Sequence, residues 1–165
     1  MDLTESTRRT TMVTGKFSKI LVAIDGSEES IKAAECAIEI AKKDNAQLIA
    51  FTVLDLSNPR HLSSMFIAAP TYGLREFKEE RKEAEQWIDK VSKLAQQGGN
   101  NNIQFKSQIE ESTSVEGAIV NYAENENIDL IVIGTRGRSG FKKMLLGSVA
   151  AGVVTYAHCP VLVVK

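Results

Sequence analysis

The sequence predicts an α/β fold: a doubly wound sheet of five parallel strands, order 3-2-1-4-5, with helices on both faces. Three observations predict it. Continuously apolar runs at 20–24 (Ile-Leu-Val-Ala-Ile) and 130–133 (Leu-Ile-Val-Ile) suit strands buried on both faces. Other segments carry apolar residues at three- and four-residue steps, as one face of a helix does. The two kinds of segment alternate, and each parallel crossover needs a helix and runs right-handed.

Taken in order, residues 1–17 are rich in Thr and Ser and are expected to be a mobile tail outside the fold, leaving 18–165 as the domain. The first strand, 19–24, stops at Asp25-Gly26-Ser27. A helix over 28–43 follows, with Ile31, Ala34, Ile38 and Ala41 on one face, Ser27 placed to cap, and Glu28 and Glu29 in its first turn. Residues 47–53 read as the second strand. Segment 55–73 is a long connection holding Pro59, Pro70 and the apolar cluster Met65-Phe66-Ile67, either a lid or partner surface or a loop packing its own apolar residues. A helix over 74–97 aligns Phe77, Ala84, Trp87, Ile88, Val91 and Leu94. After the break at 97–102, Ile103, Phe105, Ser107 and Ile109 alternate with polar residues as a strand, and Val115, Ala118, Ile119, Tyr122 and Ala123 mark a helix after Ser114. Strand 129–133, a glycine-rich loop, a short helix over 148–157 and an edge strand Val161–Val164 complete the chain.

With 165 residues, 43% of them hydrophobic and 25% charged, the chain has the size and composition of one compact domain. Such a domain buries roughly 70% of its unfolded surface, so it needs no disulfide or metal staple. The net charge is −1, from 20 basic and 21 acidic residues, which argues against a broad grip on nucleic acid or an anionic membrane. Any anion site must be local. Cys36 and Cys159 belong to no metal-ligand pattern, and His61 and His158 have no acidic or cysteine partners at metal spacing. No apolar run reaches the ~20 residues of a membrane span, and a reduced, cytoplasmic location is expected.

The chemistry concentrates in 134–148, where Gly134, Gly137, Gly147 and Ser148 form a Gly-x2-Gly-x9-Gly-Ser pattern between a buried strand and a helix. With glycine at about 7% of residues, the pattern arises by chance on the order of once in 200 such chains. Gly134 and Gly137 let backbone amides approach a phosphate chain, and Gly147-Ser148 at a helix start offer free N–H groups, a hydroxyl and the positive dipole end. The bland alternative is a tight strand-to-helix connection, for which the loop is long. The pattern is neither a Walker A loop nor GxGxxG. Arg136, Arg138, Lys142 and Lys143 add four positive charges. In a doubly wound sheet, ligands collect where the strand order reverses, between strands one and four, which places Asp25 and the Gly134 loop together.

These residues carry a resemblance covering about 17–165. The segments Ile20-Leu-Val-Ala-Ile-Asp-Gly-Ser27, Asp129-Leu-Ile-Val-Ile-Gly-Thr-Arg-Gly137, Gly147-Ser-Val-Ala150 and Cys159-Pro-Val-Leu-Val-Val164 are similar to the universal stress proteins (UspA family), specifically the ATP-binding subgroup. The resemblance implies an adenine nucleotide alpha hydrolase-like fold. It implies ATP, or AMP or ADP, with Mg or Mn carried by the nucleotide. By position, Ala23, Ile24 and Val53 flank adenine, and Ile133 and Gly134 border the ribose. Asp25 approaches the ribose or the metal-bound phosphates, although it also serves as a turn former. Gly137, Gly147, Ser148 and Val149 contact phosphates, with Thr135 and Arg136 in the same loop. Ala150 departs from relatives with a hydroxyl there, a contact worth ~0.5–1.5 kcal/mol. The resemblance also implies a homodimer through Val161–Val164, and an edge strand with an apolar face needs such protection.

The cradle shows no evident catalytic base, so a dimeric, nucleotide-dependent stress-response module is expected. The alternatives are a slow Mg-dependent ATPase or phosphate- or adenylyl-transfer enzyme, and a nucleotide-independent interaction module. A flavin-binding protein and a phospho-receiver share the sheet. The short Asp25-Gly26-Ser27 turn and the lack of an acidic pair in strand one disfavour both.

Overall fold

The structure, a computed structural model, describes residues 16–58, 70–97, 103–137 and 146–165. Its elements are β1 (Lys19–Ala23), α1 (Glu28–Asp44), β2 (Gln47–Asp55), α2 (Pro70–Gln96), β3 (Phe105–Ser112), α3 (Val115–Asn125), β4 (Leu130–Gly134), α4 (Ser148–Tyr156) and β5 (Val161–Val164). The sheet order is β3-β2-β1-β4-β5 and every pairing is parallel, as the alternating pattern predicts.

The apolar strands supply side chains to both faces. Ile20, Val22, Leu48, Ala50, Leu130 and Val132 pack under α1 and α2, against Ala34, Ile38, Ala41, Val91 and Ala95. Leu21, Ile49, Phe51, Ile131 and Ile133 face the other way, against Ala118, Ile119 and Ala123 of α3 and Ala150 and Val153 of α4. Successive strand residues point to opposite faces, so a continuous apolar run buries both.

Two helix starts are fastened as their sequences suggest. Ser27 Oγ accepts from the Ser30 N–H at 3.1 Å, and Ser114 Oγ from the Gly117 N–H at 3.1 Å. Phe17, the last residue of the expected tail, packs against the core and donates its N–H to Asp44 Oδ2 at 2.9 Å.

The 55–73 connection is shorter than predicted. Strand β2 runs on to Asp55 because β3 continues beside it, pairing Val53 with Glu110, Leu54 with Glu111 and Asp55 with Ser112. At the other end, α2 starts at Pro70 rather than at 74, since a proline's fixed φ and missing N–H suit a first helical position. Met65, Phe66 and Ile67 lie outside the described residues.

Candidate functional site

Strands β1 and β4 are neighbours at the middle of the sheet. The chain leaves β1 through α1 toward β2 and leaves β4 through α4 toward β5, which makes their carboxyl ends the switch point. A cavity of about 200 Å³ opens there.

Its lining includes the apolar residues Ala23, Ile24, Val53 and Ile133, with Phe51 from β2 and Val115 and Ile119 from α3. Phe51 is held by the Tyr122 ring, at a centroid distance of 4.5 Å, and its carbonyl accepts from the Ile24 N–H at 2.8 Å. Burial, then the charges of Glu126 and Glu110, push the Tyr122 phenol above its ordinary value.

The β1 end and the loop between β4 and α4 add Asp25, Gly134, Thr135, Arg136, Gly137, Gly147, Ser148, Val149 and Ala150. The structure therefore brings the thirteen residues expected to contact nucleotide around one cavity. Arg138, Lys142, Lys143 and His61 lie outside the described residues, and His158 is exposed.

Asp25 fills the turn-forming role and lines the cavity at once. Its Oδ1 accepts from the Ser27 N–H at 3.0 Å and from Ser27 Oγ at 2.6 Å. Its Oδ2 lies on the Gly137 side, where a side-chain carbon on Gly137 would stand 2.6 Å away.

The ends of the glycine-rich loop are tied together. The Gly147 N–H donates to the Thr135 carbonyl at 2.7 Å, while the Thr135 N–H donates to the Val164 carbonyl at 2.8 Å. Thr135 is 5% exposed, and its hydroxyl has no hydrogen-bond partner among the described residues. Gly134 has a packing role that its motif did not reveal. A carbon added there would stand 2.9 Å from both the carbonyl carbon and Cβ of Glu29, so glycine is what lets α1 close onto the end of β4.

Helix α4 differs from α1 and α3 at its start. Its N-cap is Gly147, with no side-chain cap bond, so the first N–H groups of the helix meet the cavity wall uncapped by any side chain. An uncapped helix start with its positive dipole end is suited to an anion.

Sequence reasoning missed Ser30, Phe51, Val115 and Ile119 as lining residues. Phe51 shares the face of Val53 by the period-2 rule, and Ile119 follows Val115 by one helical turn, so the signal was present. It was indistinguishable from core periodicity.

A family model described as the universal stress protein family matches residues 16–165. The chain belongs to the universal stress protein family. It is 38% identical over 151 residues to the universal stress protein MJ0531 of Methanocaldococcus jannaschii, covering 90% of this chain and 82% of that one. Among solved structures, UspA from Lactobacillus plantarum superposes with a TM-score of 0.77 at 24% identity, covering 92% of this chain and 99% of its own. A universal stress protein solved in complex with cAMP superposes with a TM-score of 0.57 at 26% identity, covering 92% and 98%.

Proposed function

We propose that this universal stress protein binds an adenine nucleotide, ATP foremost, in the cleft between β1 and β4, and acts as a cytoplasmic, dimeric, nucleotide-dependent stress-response module. The observation that carries the reading is the uncapped start of α4 at a cavity lined by both apolar and polar residues. The cAMP complex of a relative supports an adenine nucleotide as the ligand class.

In this reading Phe51, Val53, Ile119 and Ile133 take the flat base. Gly137, Gly147, Ser148 and Val149 bind phosphate through N–H groups and the Ser148 hydroxyl, and Ile133 and Gly134 border the ribose. Among the described residues no group of three His, Cys, Asp or Glu side chains is placed to hold a metal. Asp25, the one lining carboxylate among the described residues, would meet a Mg²⁺ or Mn²⁺ carried by the phosphates, which would lower their charge.

Asp25 also favours a second reading, slow Mg²⁺-dependent hydrolysis or group transfer, read out as ADP or AMP release. Turnover that survives replacement of both Asp25 and Ser148 does not come from this cleft.

The deciding experiment is denaturation of the purified protein, mass spectrometry of whatever is released, and ATP titration. An adenine nucleotide and saturable binding in the micromolar-to-millimolar range are expected. Absence of both rejects the proposal.

A further inference from the structure

Among the described residues, the charges at the cleft do not favour a highly charged ligand. Among the described lining residues Arg136 is the one cation and Asp25 the one carboxylate. A second carboxylate stands behind them: Glu29 Oε1 lies 3.8 Å from Arg136 Nε, with the two side chains 26% and 38% exposed. Neither acid is placed casually. Ser27 holds Asp25 by two hydrogen bonds. Glu29 sits in the first turn of α1, where its backbone and Cβ are pressed against Gly134 at the end of β4, which fixes the point from which its carboxylate reaches Arg136.

We infer that Glu29 sets which charge state of the nucleotide the cleft accepts. Paired with Glu29, Arg136 is partly neutralised in the empty cleft and a phosphate must compete for it. The Glu29 charge also repels each phosphate oxyanion within a Debye length of about 8 Å. Coulomb's law in a water-like medium gives a factor of about two per unit phosphate charge at such separations, compounding to about tenfold for a free triphosphate. Glu29 thus disfavours free ATP relative to monophosphates and metal-neutralised polyphosphates. Glu29 is a positioning residue that works through Arg136 and through space, and the inference rests on the adenine-nucleotide reading of the cleft.

The test is calorimetric titration of the full chain and of its Glu29→Gln, Glu29→Asp and Glu29→Gln/Arg136→Gln variants with adenosine, AMP and ATP, in EDTA and in Mg²⁺, with unliganded melting temperatures recorded. Glu29→Gln is expected to tighten ATP in EDTA about tenfold and AMP about threefold, and to change adenosine less than twofold. Mg²⁺ shrinks the ATP gain to about threefold, because the complex carries less charge, and high salt shrinks it further. Glu29→Asp keeps the wild-type ratio of ATP to adenosine affinity. In the Arg136→Gln background the through-space part of the gain persists, largest for ATP and least for adenosine.

Equal ATP affinity of wild type and Glu29→Gln overturns the inference and leaves the nucleotide reading standing. An equal gain for adenosine and ATP, in either background, also overturns it. No binding of any of the three ligands by wild type and variant overturns both.

Discussion

At the scale of single residues, Asp25 shows how one carboxylate forms a turn and lines a cavity at once. The Asp25-Gly26-Ser27 turn needs a short side-chain oxygen to accept from Ser27, and Oδ1 does so, while the same carboxylate lines the cavity. An asparagine keeps the accepting oxygen and loses the charge. Asp25→Asn is therefore expected to cost only about 0.5–1 kcal/mol in urea unfolding, the difference between a charge-assisted and a neutral acceptor. Its effect on ligand should depend on the metal: weaker ATP binding in Mg²⁺ and unchanged or tighter binding in EDTA, measured by calorimetry. Equal losses for ATP and adenosine would instead assign Asp25 to the ribose. The glycines and polar residues of the site were legible because their spacing has few structural explanations. Phe51, Val115 and Ile119 were not, since an apolar residue that lines a cleft and one that fills a core have the same periodicity.

At the scale of elements, strands were legible where neighbours on both sides bury them, as for β1 and β4, and their ends were not. The end of β2 is decided by how far β3 runs beside it, a non-local fact. Helix α2 makes a contact that no pattern in its own sequence announces. Gly26 adopts φ +81°, and a side chain there would overlap the indole of Trp87, so the long helix is fitted to the backbone of the Asp25 turn. Gly26→Ala should destabilise the protein by about 2–3 kcal/mol in urea, from left-handed strain plus overpacking, and shift the emission of Trp87, the single tryptophan of the chain. Removal of that indole by Trp87→Leu in the Gly26→Ala background should recover part of the loss, because the two effects share one contact. The elements packed on the opposite face give a pH dependence. Burial, more than the nearby Asp129, pushes the Cys159 thiol above its ordinary value of 9.0, and the Tyr122 phenol is likewise raised above 10.0. The fold thus favours the neutral form of each group. Their stabilising contribution is complete below pH 9.0 and is lost as pH rises through the folded-state values. Urea midpoints should fall between pH 8 and about pH 10.5, and less steeply for Cys159→Ala than for wild type.

At the scale of the whole molecule, the parallel sheet followed from the alternation of strands and helices, and its order β3-β2-β1-β4-β5 sets the position of the cleft. What lies beyond one chain is written at the sheet's edge. In β5 the Ile131 N–H of β4 donates to the Pro160 carbonyl at 3.0 Å and the Thr135 N–H to the Val164 carbonyl at 2.8 Å. In a parallel ladder the alternate residues then turn their N–H and C=O groups outward, which puts those of Val161 and Val163 on the open side. All four β5 side chains are only half-buried, and Val154 and Tyr156 on the adjacent α4 are 48% and 71% exposed. An apolar edge of this kind invites pairing with a second copy. Val163→Pro removes an outward N–H while leaving the bonds to β4 intact, and proline is tolerated at such edge positions. Light scattering after gel filtration should give twice the monomer mass for the wild type and the monomer mass for the variant. The variant's circular dichroism should be unchanged, with a stability loss of about 1 kcal/mol from the smaller side chain. A wild-type monomer, or a variant that remains dimeric, would move the interface away from β5.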